Sequence, residues 1–392
     1  MTTLNVPQIV GLFRDSRIQE ILSGPRQDSL VLARRLANDF SAEERYWILE
    51  WVGLYPEIRR KFGIGFPLLC DRLALEQATA RDLSEWKASL WPRGSKVLDL
   101  CCGMGGDSLF LASDLIVEGV DRDPLRLAMY EENTRLLGCV RSGRAMDALD
   151  PELQADFFQI DPARRTTWQG NQRRIGDLSP SWEQVSGLFS RFSGGVAKLP
   201  PGFPWETLPK SFSISCLGGA ADCRECMVSH GVLAEKEPVF QATLLPEGLT
   251  YTVPRNEMNQ TPLPVGDVGA YLFEPVPVLI RSHLFPHLAR QQHLHQVDEQ
   301  IAYLSGERLS ALSPWLRQYK VLDRCPLGQG RVRAMLRKHG IHPTALKKRG
   351  VEVDPAKELR QLDSGGDSPG ILFYTRVRGQ KTAILTLSPE KR

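Results

Sequence analysis

The chain has 392 residues, with 49 Lys and Arg against 46 Asp and Glu, and this net charge of +3 excludes a whole-molecule field for a polyanion. Its 42% hydrophobic content is that of a globular chain and excludes general disorder. Eight cysteines are too sparse for a disulfide scaffold, no run of 18 apolar residues marks a membrane span, and the opening MTTLNVPQIVGLFRDS does not read as a signal peptide. The expectation is a cytoplasmic protein of two or three domains with no membrane partner.

Residues 1–90 read as helical. Ser29 to Ala37 and Ser41 to Leu54 carry apolar residues at three- and four-residue spacing, Ser41 and Glu44 form a capping box, and Pro56 is expected to stop that pattern. Leu68 to Thr79 reads as a further amphipathic helix. From Lys96 to about Ser215 the pattern alternates. Val97 to Leu100, Ile116 to Val120, Ala155 to Ile160 and Gly195 to Lys198 read as buried strands, and Ser108 to Ala112 and Pro124 to Leu137 as helices. That alternation predicts a parallel sheet covered on both faces. Residues 281–304 read as helical and His-containing, and the remainder as α+β, ending in strands Ile371 to Arg376 and Thr382 to Leu387. Residues 301–392 hold 18 Lys and Arg against eight Asp and Glu, a local surplus of ten. A basic terminal module on an acidic body is a footprint of nucleic-acid binding.

The most informative stretch is Val97-Leu98-Asp99-Leu100-Cys101-Cys102-Gly103-Met104-Gly105-Gly106-Asp107. A strand ends in an acid, and a glycine turn follows whose backbone can approach a ligand closely. The next strand ends in Asp121, 22 residues after Asp99, where nucleoside-binding α/β folds hold a ribose diol. The G-x-G-G spacing lacks the third glycine position of a dinucleotide cradle.

These residues resemble the first two motifs of class I S-adenosylmethionine-dependent methyltransferases, and Met146-Asp147-Ala148 resembles their third. The resemblance implies a Rossmann-like sheet, S-adenosylmethionine as cofactor, and cofactor contacts at Asp99, Cys101, Gly103, Gly105, Asp107, Asp121, Arg122, Asp147 and Ala148. It puts Asp121 on the ribose hydroxyls and Asp147 near the adenine amine. Cys101-Cys102 and Met104 depart from the small residues common there.

The strand ending at Ile160 runs into Asp161-Pro162-Ala163-Arg164-Arg165, the place of the family's active-site loop. Methyl transfer from a sulfonium is an in-line displacement, which asks the enzyme chiefly to orient the acceptor. Asp161 and Pro162 are the expected catalytic pair, accepting hydrogen bonds from a base amine. Amino-methyltransferases of nucleic acids place a second proline and an aromatic next; Ala163 and Arg164 stand there, and Trp168 is the nearest replacement for the stacking ring. The loop also resembles that of RNA 5-methyluridine methyltransferases, whose chemistry requires a cysteine nucleophile. Cys216 is the candidate, although no Asn-Pro follows it. Arg164, Arg165, Arg173 and Arg174 form a basic cluster suited to phosphate.

DPARR, LSP at 178–180, KLPPG at 198–202, YLFEP at 271–275 and KKRG at 347–350 together resemble a bacterial family of methyltransferases with a C-terminal THUMP-like domain. The expected fold class is therefore α/β, a Rossmann-like methyltransferase core with an N-terminal helical region and a C-terminal α+β THUMP-like domain. The expected boundaries are 1–90 for the helical region, 91–240 for the core, 241–314 for a mixed connecting region and 315–392 for the basic domain. By analogy with true THUMP domains the expected partner is structured RNA, with Arg331, Arg333, Arg337, Lys338, Lys347, Lys348 and Arg349 near phosphates. The expected function is methylation of an RNA base. The alternatives are a DNA, protein or small-molecule methyltransferase, or a non-catalytic RNA binder. No metal site is expected: Cys223-x-x-Cys226 lacks a second pair, and Pro286 interrupts the histidines at 283–295.

Overall fold

A computed structural model describes residues 4–25, 28–139, 141–164, 178–234, 237–258, 261–310, 314–362 and 365–387. The chain forms two compact units, one of Met1–Ile214, Glu225–Pro238 and Leu245–Gly248, the other of Ser215–Arg224, Val239–Leu244 and Leu249–Arg392. Among the described residues no helix is long and apolar enough to cross a membrane.

The first unit opens with six helices, α1 (Val6–Arg14), α2 (Ser16–Ser23), α3 (Ser29–Leu36), α4 (Ala42–Phe62), α5 (Arg72–Gln77) and α6 (Arg81–Ala88). The Ser41–Glu44 capping box starts α4, as its sequence predicts. Pro56 does not end that helix, which continues to Phe62 and a left-handed Gly63. Buried Trp51, Leu54, Ile58 and Phe62 anchor it on both sides of the proline, so packing outweighs one lost backbone bond. The apolar segment predicted from Leu68 is helical only over α5.

Strands β1 (Lys96–Leu100), β2 (Ile116–Asp121), β3 (Gly143–Ala145), β4 (Phe157–Ile160) and β7 (Gly194–Leu199) form a parallel sheet in the order β7-β4-β1-β2-β3. The antiparallel strand β9 (Glu225–Gly231) pairs with β7. β1, β4 and β7 are legible because they are largely buried on both faces and read as apolar runs, whereas short, partly exposed β3 has no such pattern. Short β5 (Ala163–Arg164) and β6 (Leu178–Ser179) pair with each other, α7 (Pro124–Leu136) follows β2, α8 (Trp182–Leu188) precedes β7, and the boundary between units falls within β8 (Ser213–Gly218). The strand order reverses between β1 and β4, and open α/β sheets bind ligands at the carboxyl ends of strands beside such a reversal.

In the second unit β10 (Val239–Leu244) pairs with β11 (Leu249–Pro254). A seven-stranded sheet follows, in the order β13-β14-β12-β15-β18-β17-β16. Its strands are β12 (Tyr271–Pro275), β13 (His295–Asp298), β14 (Ile301–Gly306), β15 (Leu316–Pro326), β16 (Ile341–Lys348), β17 (Ser368–Val377) and β18 (Gln380–Leu387). Helices α9 (Pro277–Arg281), α10 (Phe285–Gln291), α11 (Gln329–His339) and α12 (Pro355–Gln361) accompany them. The stretch predicted helical over 281–304 is helical only in part: its second half is β13 and β14, whose buried Val297, Tyr303 and Leu304 belong to the sheet. The two terminal strands lie where the sequence puts them.

Candidate active site

The glycine turn after β1 is held from three directions. Gly103 donates its backbone N–H to Asp121 Oδ2 at 3.0 Å, tying the turn to the end of β2. Asn133 of α7 receives the Leu69 N–H at 2.8 Å and donates to the carbonyls of Leu69 at 3.0 Å and Met104 at 3.1 Å. Apolar Met104 and Leu109 join the core of the N-terminal helices, so that region serves as the floor of the turn. Gly103 and Gly105 sit at φ +55° and +94°, which favour glycine, and a Cβ on Gly106 would lie 2.6 Å from the Thr79 nitrogen. The helix predicted over Ser108 to Ala112 does not form. Ser108 and Leu109 N–H groups both bond the Gly105 carbonyl at 2.8 Å, giving a single turn whose side chains serve the site instead.

Asp99 is fully enclosed at the end of β1 and accepts from Ser108 Oγ at 2.5 Å. Burial and then the charge of Asp107 push its carboxyl up to about 7. An acid whose pKa is raised on folding binds its proton more tightly in the native state, so stability falls as pH rises from about 4 to about 7. Asp99→Asn is therefore expected to be more stable than wild type above pH 7, by an amount on the order of 2 kcal/mol that vanishes toward pH 4. Thermal melts across that range test it, and a constant difference at all pH values would refute it.

The expected cofactor residues cluster at the carboxyl ends of the strands. Asp121 ends β2, with Arg122 exposed after it, and exposed Asp147 and buried Ala148 follow β3. Asp147 Oδ1 accepts the Leu149 N–H at 2.9 Å. Cys101 has a positive φ of 62°, and burial first, then Asp121, push its thiol up to about 12. The space before Gly103 is open, since an added Cβ would meet no atom within 4 Å. That opening beside the Asp121 carboxylate fits a nucleoside cofactor with a ribose diol.

Asp107 faces elsewhere. Its Oδ2 accepts from Thr79 Oγ1 at 2.9 Å, its Oδ1 from Lys87 Nζ at 2.5 Å, and its carbonyl from Ser84 Oγ at 2.8 Å. Burial alone would push this carboxyl up, but Lys87 and Lys198 outweigh it and hold the pKa below the ordinary range. Lys87 also pairs with Glu225 at the start of β9. Glu225 Oε2 lies 3.7 Å from Lys198 Nζ, and Lys198 donates to Asp161 Oδ2 at 2.6 Å. One chain of charges thus runs Asp107–Lys87–Glu225–Lys198–Asp161, from the glycine turn to the loop after β4. Sequence reading missed Lys87, Lys198 and Glu225. The signal was present: Lys198 stands in an otherwise apolar buried strand, and Glu225 opens a strand whose next four residues are buried.

Pro162 is buried beside half-buried Asp161. Arg164 lies in β5 but its side chain, like Arg165, Trp168, Arg173 and Arg174, falls outside the described residues. Cys216 is fully buried in β8. In the second unit, Lys347 Nζ pairs with Glu274 and donates to Tyr319 Oη at 2.9 Å, Arg349 lies 3.5 Å from Glu274, and Lys348 donates to the Val353 carbonyl at 2.5 Å.

A reversed parallel sheet with a glycine turn after its first strand, an acid ending its second and a loop acid after its fourth defines a class I S-adenosylmethionine-dependent methyltransferase. Comparison with known proteins agrees. Two relatives, from Mycobacterium tuberculosis strains CDC 1551 and H37Rv, are described as uncharacterised S-adenosylmethionine-dependent methyltransferases. Each is 30% identical over 335 residues, which span 83% of this chain and 89% of the relative. The chain belongs to this family of methyltransferases, and S-adenosylmethionine is its cofactor. Residues 316–387 match the THUMP domain-like family. A crystal structure of a candidate methyltransferase from Porphyromonas gingivalis W83 has the same fold, with a TM-score of 0.78 at 18% identity over 99% of this chain and 100% of that one.

Proposed function

We propose that the protein methylates a structured RNA, with the acceptor placed beside Asp161 and the cofactor lodged before Gly103 against Asp121. Bound S-adenosylmethionine supplies an activated methyl group on a sulfonium sulfur. Asp99, Cys101, Gly105, Arg122, Asp147 and Ala148 would line or shape its site, and Asp107 would anchor the turn from behind through Thr79 and Lys87. Asp161 and Pro162 would hold the acceptor.

The observation that carries the RNA reading is the THUMP-like module, whose residues 316–387 hold 15 Lys and Arg against six Asp and Glu. Helix α11 turns Val332, Met335 and Leu336 inward and leaves Arg331, Arg337 and Lys338 exposed on its outer face. Such a face contacts phosphates and positions a polynucleotide without reading its sequence. Lys338 is also 2.7 Å from Asp323, and Arg333 donates to the Gln361 carbonyl, so Arg331 and Arg337 are the first candidates for phosphate. Arg331→Glu with Arg337→Glu is expected to raise the RNA KM about tenfold and to reduce the salt slope of binding by about one per contact removed. An unchanged slope would remove this face from the RNA site.

The direct test is transfer of labelled methyl from S-adenosylmethionine to deproteinised total RNA from cells lacking this protein, with DNA and protein in parallel. Label in RNA alone, absent with Asp161→Ala, supports the reading. Label only in DNA or protein, or none in any polymer, overturns it.

A further inference from the structure

We infer that the methyl acceptor is a hydroxyl, the ribose 2′-OH of an RNA nucleotide, and that Asp161 and Lys198 act on it together as proton acceptor and counter-charge. The inference rests on the RNA reading above and departs from the base nitrogen that the sequence suggests. What carries it is the charge chain, because the two kinds of acceptor ask opposite things of the residues around them.

A neutral amine attacks with its own lone pair and becomes cationic as the N–C bond forms. It needs orientation and no base, and an ammonium group close by opposes the charge it develops. A hydroxyl is a poor nucleophile until its proton is drawn off, and its oxygen then carries developing negative charge. It needs a proton acceptor and a cation side by side. The structure supplies that pair. Lys198 Nζ holds Asp161 by Oδ2 at 2.6 Å, and among the described residues no hydrogen bond reaches Oδ1. One carboxylate oxygen is thereby fixed and the other is left to face the acceptor, with the ammonium beside it.

The rest of the chain keeps that ammonium in place. Glu225, buried at the start of β9, lies between Lys198 and Lys87, and Lys87 is fixed in turn by Asp107. Burial alone would lower the pKa of Lys198, but Asp161, Glu225 and Asp107 together raise it above the ordinary lysine range, so the group remains a cation. Lys87 also anchors the glycine turn through Asp107, whereas Lys198 is the cation that stands directly beside Asp161.

The step balances. The ribose O–H bond breaks, its proton passing to Asp161 Oδ1 and its electron pair remaining on oxygen. An oxygen lone pair forms the O–CH3 bond as the carbon–sulfur bond breaks and that pair returns to sulfur, leaving a neutral thioether. Asp161, with a side chain 31% exposed, then releases the proton to water.

The experiment uses the full chain, labelled S-adenosylmethionine and the same deproteinised RNA, followed by alkaline hydrolysis. A 2′-O-methyl group removes the internal nucleophile that alkali requires, so the expected label appears in alkali-resistant dinucleotides. Label in mononucleotides would overturn the hydroxyl acceptor while leaving RNA methylation standing; no label in RNA would overturn both. Lys198→Met is expected to lower kcat about 10²- to 10³-fold with calorimetric affinity for S-adenosylmethionine unchanged, and Lys198→Arg to recover a tenth or more of the wild-type rate. Lys198→Met at the wild-type rate would overturn the role of Lys198. If that variant fails to fold, the alkaline digest of the wild-type product still decides the acceptor.

Discussion

Asp161→Ala is expected to lose at least about 10³-fold in methyl transfer while its affinity for S-adenosylmethionine stays within about twofold. The two effects separate because the residues proposed to hold the cofactor follow β1, β2 and β3, whereas Asp161 follows β4. Asp161→Asn sharpens the result. An asparagine keeps an oxygen that accepts a hydrogen bond, so an enzyme that only orients its acceptor keeps part of its rate. It neither takes a proton nor pairs with Lys198, so an enzyme that needs a base is as inactive with Asn as with Ala. Single-turnover rates of the two variants beside calorimetric cofactor affinities make the measurement. An active Asp161→Ala protein would remove this carboxylate from the chemistry.

The sheet and its glycine turn were legible because they depend on local pattern. β1, β4 and β7 are largely buried apolar runs, β2 is buried at Val117, Gly119 and Val120, and the acids at 99 and 121 stand at or beside strand ends where a reader looks for them. The short segment after the turn was misread because its bonds are tertiary. Ser108 Oγ goes to Asp99, Thr79 and Lys87 come from far upstream to hold Asp107, and no helical periodicity records either. Pro56 misled in the opposite direction, since a proline's local preference yields when both flanking turns are packed. The charge chain could not be assembled from sequence at all: Lys87, Asp107, Asp161, Lys198 and Glu225 come from five segments, and only the sheet order makes them neighbours. The ion pairs of Lys347 and Arg349 with Glu274 were equally invisible in the sequence, where they read the same as the outward-standing Arg331 and Arg337.

Lys87→Met is expected to be the most damaging substitution for the fold of the first unit. The ammonium is enclosed, with a side chain 5% exposed, and the carboxylates of Asp107 and Glu225 that it joins are 13% and 1% exposed. Replacing such a pair entirely by apolar groups is often neutral, but removing one partner leaves buried charge without compensation, at about 3–5 kcal/mol. In a unit of this size that corresponds to a fall in Tm of about 10 °C. The sign with pH follows from Asp107. Its folded pKa lies below the ordinary value, so its stabilising contribution is present above the unfolded pKa near 4 and is lost as pH falls through the folded one. The deficit of Lys87→Met should therefore be full at neutral pH and narrow toward pH 4, as the stranded Asp107 carboxylate takes up a proton. Adding Glu225→Gln to Lys87→Met removes one of those charges and should recover part of the Tm at pH 7, although Lys198 then loses its own neighbour and methyl transfer stays low. Melts of the single and double variants at pH 7 and pH 5 decide the matter, and a Tm that Lys87→Met leaves unchanged would mean that the carboxylates are solvated or rearranged and that the chain of charges does not hold the turn.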